Sequence, residues 1–484
     1  MTSDNAATFH RKMFIDGAWT EASGGGVDQV PAPATGEAFA EIAHGTAADV
    51  DRAVAAAHAA FADWARTPVG ERARAFLKLA DRVEDDVRTL AEIESRNVGK
   101  PIGLALEEME MIADHLRFFA GGARTMEGRA ATEFVRGKTS IIRRDPLGVV
   151  GSVAPWNYPL LMAIWKISPA LLTGNTLVLK PSEHTPFSVL RLAELAQDLF
   201  PAGVFNVVTG DGEEVGARLV SHPVVRMSSL TGSVNTGRAL MRASADSNLK
   251  RLHLELGGKA PVLVYPDADI TLTVAKIMEG AFCNSGQDCM AASRLYVHDA
   301  VHDDLVSGLE KAVKELDLGD IADENTAMGP VITAAHRDRV EGFVSRAKAT
   351  GHTELIQGDN PGTGFYTAPT VVVGARQGDE IVSTEVFGPV TSVTRFGDGD
   401  DVIGWANDTE YGLAASVFTN DIGRAMTASS ELQFGTVWVN DHLPVTPEMP
   451  HGGFKQSGNG KDMSVYALEE YTEIKHVMIN RESA

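Results

Sequence analysis

Two cysteines, Cys283 and Cys289, are all that the 484-residue chain contains, so no disulfide framework organises it. So thiol-poor a chain is expected in a reducing compartment, and the cytoplasm is the expected location. Residues 1–10 lack the charged-then-apolar pattern of a secretory leader. Long apolar runs are missing too: residues 158–179 come nearest and are interrupted by Lys166, Pro169, Gly174 and Asn175, which excludes a spanning helix there. Positive charge is short. Lys plus Arg number 43 against 65 Asp plus Glu, a net charge of −22, and such a surface repels phosphate backbones and anionic lipid. Nucleic acid and membrane are therefore not expected partners, whereas a cationic small molecule is tolerated better than an anionic one. No internal repeat or low-complexity linker is visible, and no His/Cys/Asp cluster has metal-ligand spacing, so no metal is expected.

What remains can build large cores: 44% of the residues are hydrophobic and 22% charged. The length suggests two or three domains at roughly 100–200 residues each. Residues 12–19 read as a short hairpin. Thr46 followed by Asp49 reads as a helix start, and Val50, Val54, Ala57, Phe61 and Trp64 then recur on one helical face. Helices are expected at 70–97 and 103–121, the second carrying Glu107, Glu108, Glu110 and Asp114, which read as a solvated acidic face. Strand patterns at 148–155, 176–180, 204–208 and 224–230 alternate with helical ones. The alternation restarts after residue 255, with strands at 261–264, 295–297, 414–418 and 436–440. Alternation of this kind argues for βαβ units, parallel sheets and two successive α/β bodies.

Four places carry candidate chemistry. Cys289 follows Gly286-Gln287-Asp288 and precedes an expected strand; it reads either as a small buried hydrophobe or as a nucleophile held firmly at a loop junction. Glu255, between Leu254 and Leu256 and before Gly257-Gly258, reads as a strand-end carboxylate or as a general base whose apolar flanks raise its pKa. Asn157, braced within Pro155-Trp156-Asn157-Tyr158-Pro159, reads as a turn residue or as an oxyanion donor. Gly232-Ser233-Val234-Asn235-Thr236-Gly237 opens an expected helix after an expected strand, where backbone N–H groups meet a pyrophosphate. It lacks both the usual dinucleotide fingerprint and the P-loop lysine. Lys180 and Glu183, at the end of another strand, suit a ribose, and the carboxylate disfavours a 2′-phosphate, hence NAD over NADP.

Taken in chain order, Pro155-Trp156-Asn157-Tyr158-Pro159, Lys180-Pro181-Ser182-Glu183, Gly232 through Gly237, Leu254-Glu255-Leu256-Gly257-Gly258-Lys259, Gly286-Gln287-Asp288-Cys289, Glu385-Val386-Phe387-Gly388-Pro389 and Gly452 through Gly458 resemble the aldehyde dehydrogenase superfamily. The resemblance implies an α/β fold with a Rossmann-like cofactor domain (1–124 and 146–255), a catalytic domain (256–457) and a small β flap for bridging and oligomerisation (125–145 and 458–484), in a homo-oligomer, dimer or tetramer. It implies that Cys289 attacks the aldehyde, that Asn157 and the Cys289 N–H hold the oxyanion, that hydride passes to NAD, and that Glu255 activates water to hydrolyse the thioester. Trp156, Lys180, Ser182, Glu183, Gly232, Ser233, Gly237, Leu256, Glu385 and Phe387 then contact the cofactor, and Lys166 assists proton release. One departure stands out: many relatives carry a glutamate just before the aromatic near the C-terminus, where this chain has Val465 before Tyr466.

Within the superfamily, Phe118-Phe119-Ala120-Gly121, the stretch 141–149, Asp288 before the thiol and Met449-Pro450-His451-Gly452-Gly453 look closest to the aminobutyraldehyde dehydrogenases. The substrate is then a cationic aldehyde such as 4-aminobutanal, with betaine aldehyde as the alternative. An ammonium end needs carboxylates and aromatic faces; Glu107, Glu108, Asp288, Glu448, Tyr158 and Trp165 are the candidates. A cysteine hydrolase would instead need a histidine in reach of the thiol, and neither His253 nor His298 lies in such a signature. A non-catalytic protein reusing the fold would have no use for Cys289, Glu255 and Asn157 together.

Overall fold

The computed structural model describes residues 11–126 and 131–482. The leader reading of residues 1–10 and the tip of the expected flap, 127–130, lie outside them. Two α/β bodies are present. The first is built on an eight-stranded sheet whose five parallel strands run, across the sheet, Arg251–Glu255, Val225–Thr231, Val149–Val153, Thr176–Lys180 and Phe205–Val207. Chain order reverses between Val149–Val153 and Val225–Thr231, so a crevice opens at their carboxyl ends, the place where open α/β sheets take ligands. Asn157 follows one of these strand ends and Ser233 the other.

The second body holds a seven-stranded sheet, in the order Glu354–Gln357, Thr370–Val373, Val390–Phe396, Ala292–His298, Ala260–Val264, Ala414–Phe418, Thr436–Val439; all but the first run parallel. Each sheet has its own apolar core. A third, antiparallel sheet joins Thr132–Val135, Lys138–Pro146 and Thr472–Asn480. The segment 458–484, expected to serve the flap alone, divides. Gly458–Asn459 pairs antiparallel with Arg251–Glu255, and helix Ser464–Glu470 packs into the first core through Ala467 and Leu468.

Local sequence explains most elements. The Thr46 N–H donates to Asp49 Oδ2 at 3.0 Å and starts helix Ala47–Arg66, which buries Val50, Val54, Ala57 and Trp64. The single helix expected at 70–97 is two, Val69–Asp85 and Val87–Val98, broken at Asp86, whose side chain is taken by Arg191 at 2.7 Å. Helix Pro159–Leu172 is buried along its whole length. Each fully buried Leu or Ile there contributes about 1.5–3 kcal/mol, and the lone charge among them, Lys166, requires partners. Among the described residues no helix is long and apolar enough to cross a membrane.

Candidate active site

Between the two bodies lies a cavity of about 820 Å³, lined by residues from both, among them Asn157, Glu255 and Cys289. The loop that presents Cys289 is tightly nailed. Asn284 and Ser285 both take left-handed backbone conformations (φ 47° and 58°), a strain that must be held by side-chain contacts. Asn284 Nδ2 donates to the Asn157 carbonyl at 2.9 Å, Ser285 Oγ to the Gly329 carbonyl at 2.7 Å, and the Ile332 N–H to Gln287 Oε1 at 2.8 Å. The two glycines after Glu255 are needed for contact. A Cβ at Gly258 would stand 2.1 Å from the Cys289 carbonyl oxygen, so only glycine lets the two segments lie together.

Glu255, only 2% exposed, ends its strand with Oε1 facing His451 Nε2 at 3.5 Å. Its carboxylate, the Cys289 sulfur and the His451 ring all lie within 4.8 Å of one another. Burial, then Glu255 and Asp288, push the Cys289 thiol well above its ordinary value, so at rest the sulfur carries its proton. Asn157 Nδ2 already donates to the Gln287 carbonyl at 3.0 Å. An amide has two such hydrogens, and the second remains for an oxyanion. Chemically, the cavity offers a nucleophile, a carboxyl base and an amide donor.

Lys166 does not itself line the cavity; its Nζ donates to Oγ1 of Thr231, which does, at 2.7 Å. The acid that faces it is Asp462: burial raises that carboxyl, but Lys166, His253 and His451 outweigh it and hold it well below the usual range. Val465 and Tyr466 point outward, 43% and 55% exposed, so a carboxylate at 465 would not meet Lys166. His253 is no partner for the thiol. Its Nδ1 bonds Glu470 at 2.8 Å and its Nε2 faces Asp462 at 3.1 Å; against the lowering effect of burial, these acids raise it to about 9. His298 pairs with Asp398 at 3.0 Å, away from the cavity. The histidine near the sulfur is His451.

On the cofactor side, Ser233 caps helix Val234–Asp246, accepting the Thr236 N–H at 3.1 Å, and lies exposed at the crevice with Gly232. A Cβ at Gly237 would meet Leu256 Cδ1 at 2.6 Å, so glycine there lets helix and strand close up beneath. Lys180 Nζ bonds Glu183 Oε2 at 3.0 Å; burial opposes ionisation of Glu183, but Lys180 outweighs it and lowers the carboxyl. Ser182, between them, accepts the His184 N–H at 3.3 Å. Glu385 accepts the Gly258 N–H at 2.8 Å and is pushed up to about 7 by burial. Phe387, at φ 59°, meets Trp156 edge-on at 5.3 Å, and its carbonyl oxygen lies 2.6 Å from His336 Nε2. Helix N-terminus, glycine approach and flanking carboxyls together fit an extended dinucleotide.

The acids expected to meet a cationic tail separate. Glu107 is exposed and lines the cavity. Glu108 does not belong to a solvated face: it is buried and ion-paired to Lys100, and burial pushes it up to about 7. Lys100 also sits over the Tyr158 ring, 4.4 Å from its centre. The Tyr158 hydroxyl donates to Asp288 Oδ2 at 3.0 Å and lies 3.9 Å from Cys283 Sγ. Trp165 lines the cavity beside His451, ring centres 5.4 Å apart. Glu448 is exposed and lies outside the cavity lining, because the chain between Pro447 and His451 turns it to solvent. Lys100, His451 and Asp462 are the residues that sequence reasoning missed. Only His451 gave a signal, as the imidazole in the Met449-to-Gly453 motif; Lys100 and Asp462 acquire meaning from packing.

A thiol and a buried carboxyl beside a crevice that fits a dinucleotide suit an oxidoreductase. The family model "Aldehyde dehydrogenase family" matches residues 19–477, and the chain belongs to that family. It is 39% identical to betaine aldehyde dehydrogenase of Bacillus subtilis (strain 168) over 480 residues, 98% of each chain. It is also 39% identical to human retinal dehydrogenase 2, covering 97% of this chain and 92% of that protein. The crystal structure of betaine aldehyde dehydrogenase from Staphylococcus aureus in complex with NAD+ superimposes with a TM-score of 0.95 at 36% identity, over 98% of this chain and 96% of that one.

Proposed function

We propose that the chain oxidises a cationic aldehyde, 4-aminobutanal foremost, to its carboxylic acid with NAD, Cys289 carrying the acyl group and Glu255 releasing it. One observation carries this reading: thiol, carboxyl and amide from three distant segments line a single cavity. The NAD+ complex of the Staphylococcus aureus relative supports the cofactor. When bound, NAD supplies the hydride acceptor. The chain's own residues do the rest. The Cys289 sulfur bonds the carbonyl carbon, its proton passing to a neighbour; the Glu255 carboxylate and the His451 ring stand within 4.8 Å. Asn157 and the Cys289 N–H hold the oxyanion. Glu255 later takes a proton from the water that cleaves the thioester, and Lys166 serves the proton path beside Asp462. Trp156, Ser182, Gly232, Ser233, Gly237, Leu256, Glu385 and Phe387 hold the cofactor, with Lys180 and Glu183 at its ribose favouring NAD over NADP.

The charge of the cavity supports the substrate. Glu108 is already answered by Lys100, so the carboxylate left for an incoming ammonium is Glu107, which makes no ion pair among the described residues. Asp288 and the faces of Tyr158 and Trp165 complete that end. Betaine aldehyde is the second reading, favoured by the relatives of that name. A panel of aldehydes of equal length, ending in ammonium, trimethylammonium or methyl, tests both; a methyl-ended aldehyde with the highest kcat/KM rejects the cationic assignment. A homo-oligomer, dimer or tetramer, in the cytoplasm belongs to the same proposal. The three-stranded sheet supports it by exposing Phe134 (82%) and Ile474 (65%), and light scattering tests it.

A further inference from the structure

His451 enters the cavity from the 449–453 segment and completes a donor set. A Cys289 sulfur, a Glu255 carboxylate oxygen and a His451 ring nitrogen lie within 4.8 Å of one another. The Glu255 Oε1–His451 Nε2 separation is 3.5 Å, with each side chain 2% exposed. Neither Glu255 Oε1 nor His451 Nδ1 has a hydrogen-bond partner among the described residues. Glu255 Oε1, which faces His451 Nε2, is therefore costly to leave without a partner at this depth unless something shares it.

Geometry and donor type select that something. Zinc bonds to nitrogen, oxygen and sulfur are about 2.0–2.3 Å, so donors around a tetrahedral ion stand roughly 3.3–3.8 Å apart. The Glu255–His451 separation already falls in this range, and the sulfur needs at most about 1 Å of travel, within reach of one side-chain rotation. Thiolate, imidazole and carboxylate suit zinc and cobalt; magnesium and calcium prefer all-oxygen shells. Backbone bonds between His451 and Asp462, at 2.9 and 2.8 Å, hold the main chain that carries the imidazole.

We propose that Glu255, Cys289 and His451 form a site for one zinc-class divalent ion, the fourth position opening to the cavity. Binding replaces the thiol S–H bond by a sulfur–metal bond and releases one proton; nothing is oxidised or reduced. Two negative ligands balance the ion's charge, as a buried site requires. The consequence for catalysis rests on the proposed function: the sulfur lone pair that would attack an aldehyde is engaged, so ion and aldehyde exclude each other.

The experiment does not use turnover. Co²⁺ is titrated anaerobically into the full chain without nucleotide. A thiolate-to-cobalt charge-transfer band is expected, saturating at one ion per chain, with one proton released per ion and displacement by Zn²⁺. The band should persist in Cys283→Ala, vanish in Cys289→Ala, and need at least about tenfold more cobalt in His451→Asn. On the unaltered chain, which removes any question of misfolding, Zn²⁺ should protect Cys289 from iodoacetamide, as read by peptide mass, and EDTA should restore alkylation. Failure of cobalt to give the band, a band surviving Cys289→Ala, or unprotected alkylation in excess Zn²⁺ overturns the site, whatever the enzyme's activity toward aldehydes.

Discussion

Cys283 and Cys289 lie in one short stretch and line the same cavity, yet their surroundings differ. Burial pushes both thiols up, Cys283 to about 12 and Cys289 well above its ordinary value. Cys283 faces the Tyr158 hydroxyl at 3.9 Å, in a corner where Lys100, one Glu108 oxygen and both Asp288 oxygens are already paired or hydrogen-bonded. Cys289 faces Glu255 and His451, both with free buried polar atoms. A low resting pKa therefore marks neither thiol as the nucleophile. In the proposed reaction Cys289 is set apart by two neighbours within 4.8 Å, the Glu255 carboxylate and the His451 ring, that could take its proton and serve the second half.

The largest effect that separates the two is deletion. Cys289→Ala should lower NADH formation by about 10,000-fold or more while leaving NAD binding intact, as measured by fluorescence quenching; persistent turnover would break the contrast. Next comes the support of the strand that ends in Glu255. His253 has a folded pKa of about 9 against an ordinary 6.5. Its stabilisation is therefore complete below pH 6.5 and is lost as pH climbs through about 9, a change on the order of 3 kcal/mol. Thermal unfolding of the wild type across pH 6 to 10, compared with His253→Gln, should show that loss only in the wild type.

A smaller effect sharpens the electrostatic half of the comparison. Glu255→Gln removes a negative charge beside Cys289 and lowers its thiol pKa, so iodoacetamide at pH 8 should label Cys289 about tenfold faster, with Cys283 unchanged. Glu107→Gln should raise KM for an aminoaldehyde about fivefold and leave a neutral aldehyde of equal length unaffected, because one partly solvated charge contact is worth about 1 kcal/mol. Smallest of all, Cys283→Ala should change kcat by less than about twofold, since its thiol touches no reacting group.

How far the sequence could be read follows from what each residue depends on. The strands Thr176–Lys180 and Ala414–Phe418 were legible to the residue, because periodic burial and local punctuation decide them. So were the motifs that bring Cys289, Glu255 and Asn157 together. Glu108 was misread as solvated because its neighbours along the helix are acidic, whereas its partner Lys100 lies outside that helix at the preceding turn. Asp462 and His451 were invisible in their roles because a two-residue strand, Gly458–Asn459, carries their segment back across the domain boundary, and nothing in local pattern announces so short an edge pairing. Spacing along the chain reveals ligands on one element; these come from three.

The most direct test takes Glu255→Gln enzyme, mixes it with 4-aminobutanal and NAD⁺, quenches within seconds and maps the acyl mass by peptide. One acyl group per chain on the peptide containing Cys289, surviving through many wild-type turnover times, is the expected result. Acyl mass on Cys283, or deacylation at the wild-type rate, would contradict the division of labour between sulfur and carboxyl.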